Sequence, residues 1–325
     1  MEHVSMPTRP LGRTGLRVSA LGFGASPLGG VFANIDESEC KKAVHRAVEL
    51  GINLFDTSPF YGATKSESVL GRCLEGIPRE KYVLATKVGR YGPNSFDFSA
   101  ERVTRSIQES MERLGVDYLD IVQCHDIEFG SIKQIVSETL PALQRLKQEG
   151  KIGAVGITGL PLRIFSDVLD QVADGVVDVA LSYCHCTLND TSLADSTLRM
   201  FQSRSVGVIN ASPFSMGLLT PNGPPSWHPA PEELKKCAST AAEHCRSQGA
   251  NLARAALQFS VRQDGVASTL VGMASVHEVE ANAKAAIEAL NGDMMQAEMD
   301  LEKELIDILA PVKNMTWPSG LPENN

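Results

Sequence analysis

Short runs of aliphatic and β-branched residues recur along the chain, and between them lie longer stretches whose apolar residues return every three or four positions. The first pattern predicts buried strands and the second amphipathic helices. Strands are expected at 20–23, 53–56, 82–87, 119–125, 154–158, 177–181, 206–210 and 268–271. Helices are expected at 38–50, 66–74, 99–114, 136–149, 162–171, 193–202, 234–247 and 276–289. Strand–helix alternation implies a parallel sheet, and eight such units are the number that closes into a (β/α)₈ TIM barrel.

Local chemistry supports these limits. Ser99 precedes an amphipathic stretch and has Arg102 three residues on, which makes it a plain N-cap rather than a capping box. Gly51, Gly115 and Gly150 each follow a helical pattern, where a positive φ is needed. Leu11-Gly-Arg-Thr-Gly-Leu16 predicts a tight N-terminal β-hairpin ahead of the first barrel strand. The Pro- and Gly-rich stretch 218–231, with Trp227, reads equally as a substrate loop on the barrel rim or as a variable surface loop.

Length alone, at 325 residues, suggests two domains, but a barrel commonly takes roughly 250 residues as one. No linker or shift in composition divides the chain, so one barrel domain over 8–325 is expected. A net charge of −9 argues against nucleic acid, which needs clustered Lys and Arg. No apolar run approaches ~18 residues, so no membrane span is expected, and the first twenty residues lack the apolar core of a secretory leader. Seven scattered cysteines, an odd number, read as reduced thiols rather than a disulfide framework, which points to the cytoplasm. Nothing in the pattern demands an obligate protein partner.

Active sites of α/β barrels lie at the C-terminal ends of the strands. Asp56 ends the second predicted strand, Lys87 the third and His125 the fourth, while Tyr61 lies in the loop after Asp56. A single charged residue ending a strand is usually the solvated start of a loop; three in succession on one rim form an acid–base group. A free phenol, with a pKa of about 10, exchanges protons poorly near neutrality, and a neighbouring ammonium would lower that value. Asp56 can hold Lys87 charged, and His125 can hydrogen-bond a substrate oxygen. Such a group suits reversible hydride transfer at a carbonyl.

The stretches Gly51-Ile-Asn-Leu-Phe-Asp-Thr-Ser-Pro-Phe-Tyr-Gly62, Ala85-Thr-Lys-Val88 and Leu119-Asp-Ile-Val-Gln-Cys-His125 resemble the aldo-keto reductase superfamily, and the likeness runs through essentially the whole chain. The resemblance implies a barrel binding an extended nicotinamide cofactor, with Asp56, Tyr61, Lys87 and His125 catalytic and Tyr61 the general acid or base. Segments 181–186, 211–217 and 312–320 resemble sugar-oxidising members, which implies an aldose substrate. The family also holds NADPH-dependent reductases of small aldehydes and non-catalytic nucleotide-sensing subunits, the alternatives to an NAD-dependent dehydrogenase.

The resemblance places cofactor contacts at Gly24, Asp56, Thr158, Ser212, Gly272, Ala274, Ser275, Glu278 and Asn282. NADP-using members carry cations where this chain has Gly272 and Glu278, so the partners of a 2′-phosphate are missing and NAD is expected. A carboxylate at Glu278 would instead accept hydrogen bonds from a free ribose hydroxyl, unless it simply faces solvent. Gly159, Leu181 and Ala211 stand where the family has nicotinamide contacts, and Ser182, Tyr183 or Asn210 are candidate replacements. Gly22-Phe-Gly24 lacks the third glycine and following helix of a Rossmann fingerprint. Cys184-His-Cys186 supplies too few donors for zinc, and no metal is expected. Cys124 and His125 are strand neighbours facing opposite ways, which excludes them as a nucleophile–base pair.

Overall fold

The computed structural model describes residues 5–31 and 34–325. β1 (Thr8–Pro10) and β2 (Arg17–Ser19) pair antiparallel as the expected hairpin. Its turn reaches the start of a later strand, and a Cβ at Gly12 would fall 2.3 Å from the Gly207 nitrogen, so only glycine fits there. Leu11 packs among the residues that fill the barrel.

The barrel strands are β3 (Leu21–Gly24), β4 (Leu54–Asp56), β5 (Val83–Val88), β8 (Leu119–Cys124), β9 (Ile152–Gly159), β10 (Val179–Tyr183), β11 (Gly207–Ala211) and β12 (Ser268–Gly272). β6 (Arg90–Gly92) and β7 (Ser95–Phe96) form a small antiparallel ribbon outside it. All eight barrel pairings are parallel, and β12 returns to β3 through Thr269 opposite Leu21. Each expected strand is present to within two residues.

Alternation along the strands sorts the core into two layers. Leu54, Val83, Ala85, Ile121, Ala154, Val179, Leu181, Ile209 and Leu270 fill the barrel. Their neighbours, among them Phe23, Phe55, Leu84, Val122 and Val155, face the helices. The helices begin and end at the expected residues: Ser99 opens one by accepting the Arg102 amide at 3.3 Å, and Gly51, Gly115 and Gly150, each just past a helix end, have φ of 85°, 69° and 73°.

Three regions depart from the expected pattern. Two helices, Glu232–Ser247 and Leu252–Val261, separate β11 from β12 where one was expected. The second is buried on most sides, so it has no polar face for periodicity to detect. Helix Gln296–Leu309 buries Leu301, Leu305 and Leu309, a clean four-residue spacing that lies outside the eight-unit repeat. The helices expected at 136–149 and 193–202 contain wide π-helical turns at 135–139 and 193–197. In the first case Pro141, which has no N–H to give to the preceding turn, follows directly.

Candidate active site

Strand parity decides which side chains reach the barrel mouth. The filling residues Leu54, Ala85 and Ile121 are followed two positions on by Asp56, Lys87 and Gln123, and His125 stands two further along. The same count turns Thr158 and Tyr183 inward. It turns Ser182 and Asn210 toward the helices, where the Asn210 amide donates to the Cys186 carbonyl at 3.3 Å. Of the three candidate replacements for missing nicotinamide contacts, Tyr183 alone faces the axis.

Tyr61 arrives on the loop after β4. Gly62, at φ 62°, and Gly29 press their backbones together, and a Cβ on Gly62 would lie 2.2 Å from the Gly29 oxygen. That contact sets the loop and aims the phenol ring edge-on to His125, with centroids 5.6 Å apart. Lys87 ion-pairs with Asp56, donates to the Thr57 carbonyl at 2.9 Å, and holds its ammonium 4.9 Å from the Tyr61 ring centre. The Gln123 amide donates to the second Asp56 oxygen at 3.0 Å.

Burial pushes the Asp56 carboxyl up, against the pull of Lys87 and Gln123. Burial also disfavours an ammonium, but Asp56 and Tyr61 outweigh it and hold Lys87 above the ordinary lysine value. For Tyr61 the balance reverses the sequence expectation. Burial raises its pKa, Asp56 and Asp126 add to the rise, and Lys87 only partly offsets them. The phenol is therefore held protonated in the protein alone.

Burial pushes His125 down to about 3, with Lys87 and Arg90 adding to the shift and Asp126 opposing it, so the imidazole is neutral. The Phe60 amide donates to the Ser58 oxygen at 3.1 Å, and that oxygen lies 3.0 Å from His125 Nδ1. With the Ser58 hydroxyl donating to Nδ1, the imidazole proton is assigned to Nε2. Ser58 lies inside the quoted motif, but nothing in the residue pattern marks its contact with His125.

The strand ends on the other side of Asp56 carry small residues. Gly24 pairs in register with both Asp56 and Gly272, and Ala211 ends the adjacent β11. A Cβ at Gly24 would sit 3.1 Å from the Val271 carbonyl oxygen, and one at Gly272 would sit 3.0 Å from Pro27 Cγ. At both positions a side chain would press on the protein's own atoms, so these strand ends stay bare of side chains. Ser212 begins the loop after β11 with φ 57°.

Beyond the end of β12, helix Val276–Asn291 opens on a full capping box. Ser275 Oγ accepts the Glu278 amide at 3.2 Å, and the Glu278 carboxylate accepts the Ala274 and Ser275 amides at 2.8 and 3.1 Å. Glu39, from helix Glu37–Glu49, accepts the Val276 amide at 3.0 Å. The helix N-terminus, a natural anion site, is already taken by two carboxylates. Glu278 is thus exposed yet tied to the backbone, rather than simply facing solvent. Asn282 follows one turn later, half-buried.

Next to the tetrad lies a cavity of about 420 Å³ whose polar lining comes from Arg90, Tyr183 and Ser319. Pro229 also lines it, which brings the end of the irregular 218–231 loop to the rim, while Trp227 is exposed. The C-terminal segment closes one wall through Glu128: its carboxyl accepts from Ser319 at 3.0 Å and its carbonyl from the Leu321 amide at 2.9 Å. Burial, with Asp126 nearby, lifts Glu128 to about 7. Thr158 turns to Asp126, accepting its amide at 2.9 Å. In the 184–186 segment, His185 Nδ1 lies 3.0 Å from Asp190, and burial raises both thiols. Cys124 packs in the layer beneath the helices, as alternation requires.

The model of the aldo/keto reductase family matches residues 20–301. An L-galactose dehydrogenase from Arabidopsis thaliana is 56% identical over 97% of this chain and 98% of its own length. A D-arabinose 1-dehydrogenase from Saccharomyces cerevisiae is 33% identical over 91% and 93%. Among solved structures, the holo form of an aldo-keto reductase from Bacillus halodurans superposes with a TM-score of 0.73. It is 27% identical, over 98% of this chain and 99% of that one.

Proposed function

This chain belongs to the aldo/keto reductase family, and from that footing we propose that it oxidises L-galactose at the anomeric carbon to L-galactono-lactone with NAD. Bound nicotinamide supplies the hydride acceptor. Tyr61 takes the proton of the anomeric hydroxyl, and neutral His125 donates Nε2–H to the same oxygen. Lys87, held charged by Asp56, favours the phenolate that Tyr61 must become. The observation that carries this reading is the buried Asp56–Lys87 pair placed against Tyr61, with His125 neutral across the ring. The sugar itself is chosen from likeness to the Arabidopsis enzyme.

The two carboxylates at the start of helix Val276–Asn291 support NAD over NADP, because a 2′-phosphate there would meet Glu278 and Glu39 with the amides already taken. We place the protein in a reducing compartment, the cytoplasm, since all seven cysteines are free. Among the described residues no helix is long and apolar enough to cross a membrane. We also take 8–325 as one domain, because the tail completes the cavity wall.

Initial rates of nicotinamide reduction test the assignment, with NAD⁺ against NADP⁺ and L-galactose against L-fucose, D-arabinose and L-sorbosone. NAD⁺ and L-galactose are expected to lead. In Glu39→Gln/Glu278→Gln, which keeps the cap geometry, the preference for NAD⁺ should narrow by about tenfold. A wild-type preference for NADP⁺, or activity confined to reducing simple aldehydes, overturns the assignment.

A further inference from the structure

This inference rests on the reading that an aldose is oxidised at its anomeric carbon. Asp126 follows His125 directly, and in a continuing strand the two side chains would point to opposite faces. Here Asp126 takes a left-handed conformation, φ 49° and ψ 61°. That costs a non-glycine residue on the order of 1 kcal/mol. Its consequence is geometric: the turn brings Asp126 Oδ2 to 3.6 Å from His125 Nε2. The separation is too long for a direct hydrogen bond, and it leaves the two groups close enough to meet oxygens on adjacent carbons of one sugar ring.

The surrounding groups fix that carboxylate. Thr158 Oγ1 accepts the Asp126 amide and donates to Oδ1 at 3.4 Å. Arg90 ion-pairs with Oδ2. The Arg90 guanidinium is itself held, 3.9 Å from the Phe60 ring centre and 5.3 Å from those of Phe96 and Phe129. It lines the cavity, and its Nε is buried without a partner. A structural ion pair needs neither the left-handed turn nor a guanidinium edge left unsatisfied at a cavity wall.

We propose that Asp126 and Arg90 read the sugar hydroxyl on the carbon next to the anomeric one. With the anomeric oxygen at His125 Nε2, the neighbouring hydroxyl donates to Asp126 Oδ2 and accepts from Arg90. The pair thereby fixes which face of the ring meets the nicotinamide. A sugar without that hydroxyl leaves a buried carboxylate and guanidinium short of a partner, which a site built around polar groups rejects strongly.

The test is a cycle of enzyme variant against substrate. Asp126→Asn suits it, since asparagine tolerates the left-handed conformation and keeps the Thr158 contact. Wild type should favour L-galactose over 2-deoxy-L-galactose by about 100-fold in kcat/KM. In Asp126→Asn the preference should shrink to a few-fold, with the loss on L-galactose lying mainly in KM and the alkaline rise in activity kept but moved to lower pH, since Asp126 no longer adds to the rise of the Tyr61 pKa. Arg90→Met should show the same collapse, and it carries the cycle if Asp126→Asn does not fold. Equal losses on both sugars, or a wild type indifferent to the missing hydroxyl, would overturn the proposal. Absence of any aldose turnover by wild type would instead strike the aldose reading itself.

Discussion

Tyr61→Phe should lower turnover by about 10³-fold or more while leaving NAD binding and thermal stability close to wild type. The substitution removes one oxygen and keeps the ring, so the edge contact with His125 and the neighbouring contact with Phe60 survive. Neither His125 nor Lys87 can take over the proton. His125 is pushed down to about 3 and would have to act far from its working range, while Lys87 is held as the charged ammonium by Asp56. Because burial raises the Tyr61 pKa, wild-type sugar oxidation should also quicken as pH rises through the alkaline range. That rise should be missing from the residual activity of Tyr61→Phe. Steady-state kinetics across pH, with calorimetric melting beside them, check both points. A variant retaining turnover within tenfold of wild type sinks the assignment of Tyr61.

Lys87→Met should cost both stability and activity. Lys87 is the buried lysine among the described residues, and its removal strands Asp56 with only the Gln123 amide. Breaking one side of a buried ion pair typically costs about 3–5 kcal/mol, measurable by denaturant unfolding. Turnover should fall by roughly 10³-fold, because the ammonium is the group that opposes the burial-driven rise of the phenol. The two losses separate in the double variant Asp56→Asn/Lys87→Met. Without a stranded charge it should regain most of the stability, yet it should stay inactive. Activity returning together with stability would mean that the pair serves only the fold.

Much of this was legible in the chain. The strand runs are short and bounded by Gly, Pro or caps, so the eight barrel strands are found to within two residues, and the period of two correctly turns Asp56, Lys87 and His125 to one rim. What escaped is non-local or depends on competing electrostatic effects. Nothing around Glu39 says that it caps a helix beginning at Val276, 237 positions away. The left-handed turn at Asp126 breaks the alternation from which its direction would have been read. The contact of Arg90 with Asp126 joins the start of β6 to the turn after β8, 36 positions apart. The pKa of Tyr61 was expected to fall because the ammonium was legible; burial, which wins, is a property of the packed fold. Helix Leu252–Val261 escaped because burial on most sides erases periodicity.

The most direct measurement of the central claim is the fate of deuterium placed on the anomeric carbon of L-galactose during a single turnover with NAD⁺. The account predicts that deuterium is recovered at C4 of the reduced nicotinamide, that the sugar product is the lactone, and that Tyr61→Phe yields neither at a comparable rate. Reduced nicotinamide free of the label, or label retained in an oxidised sugar, would contradict it.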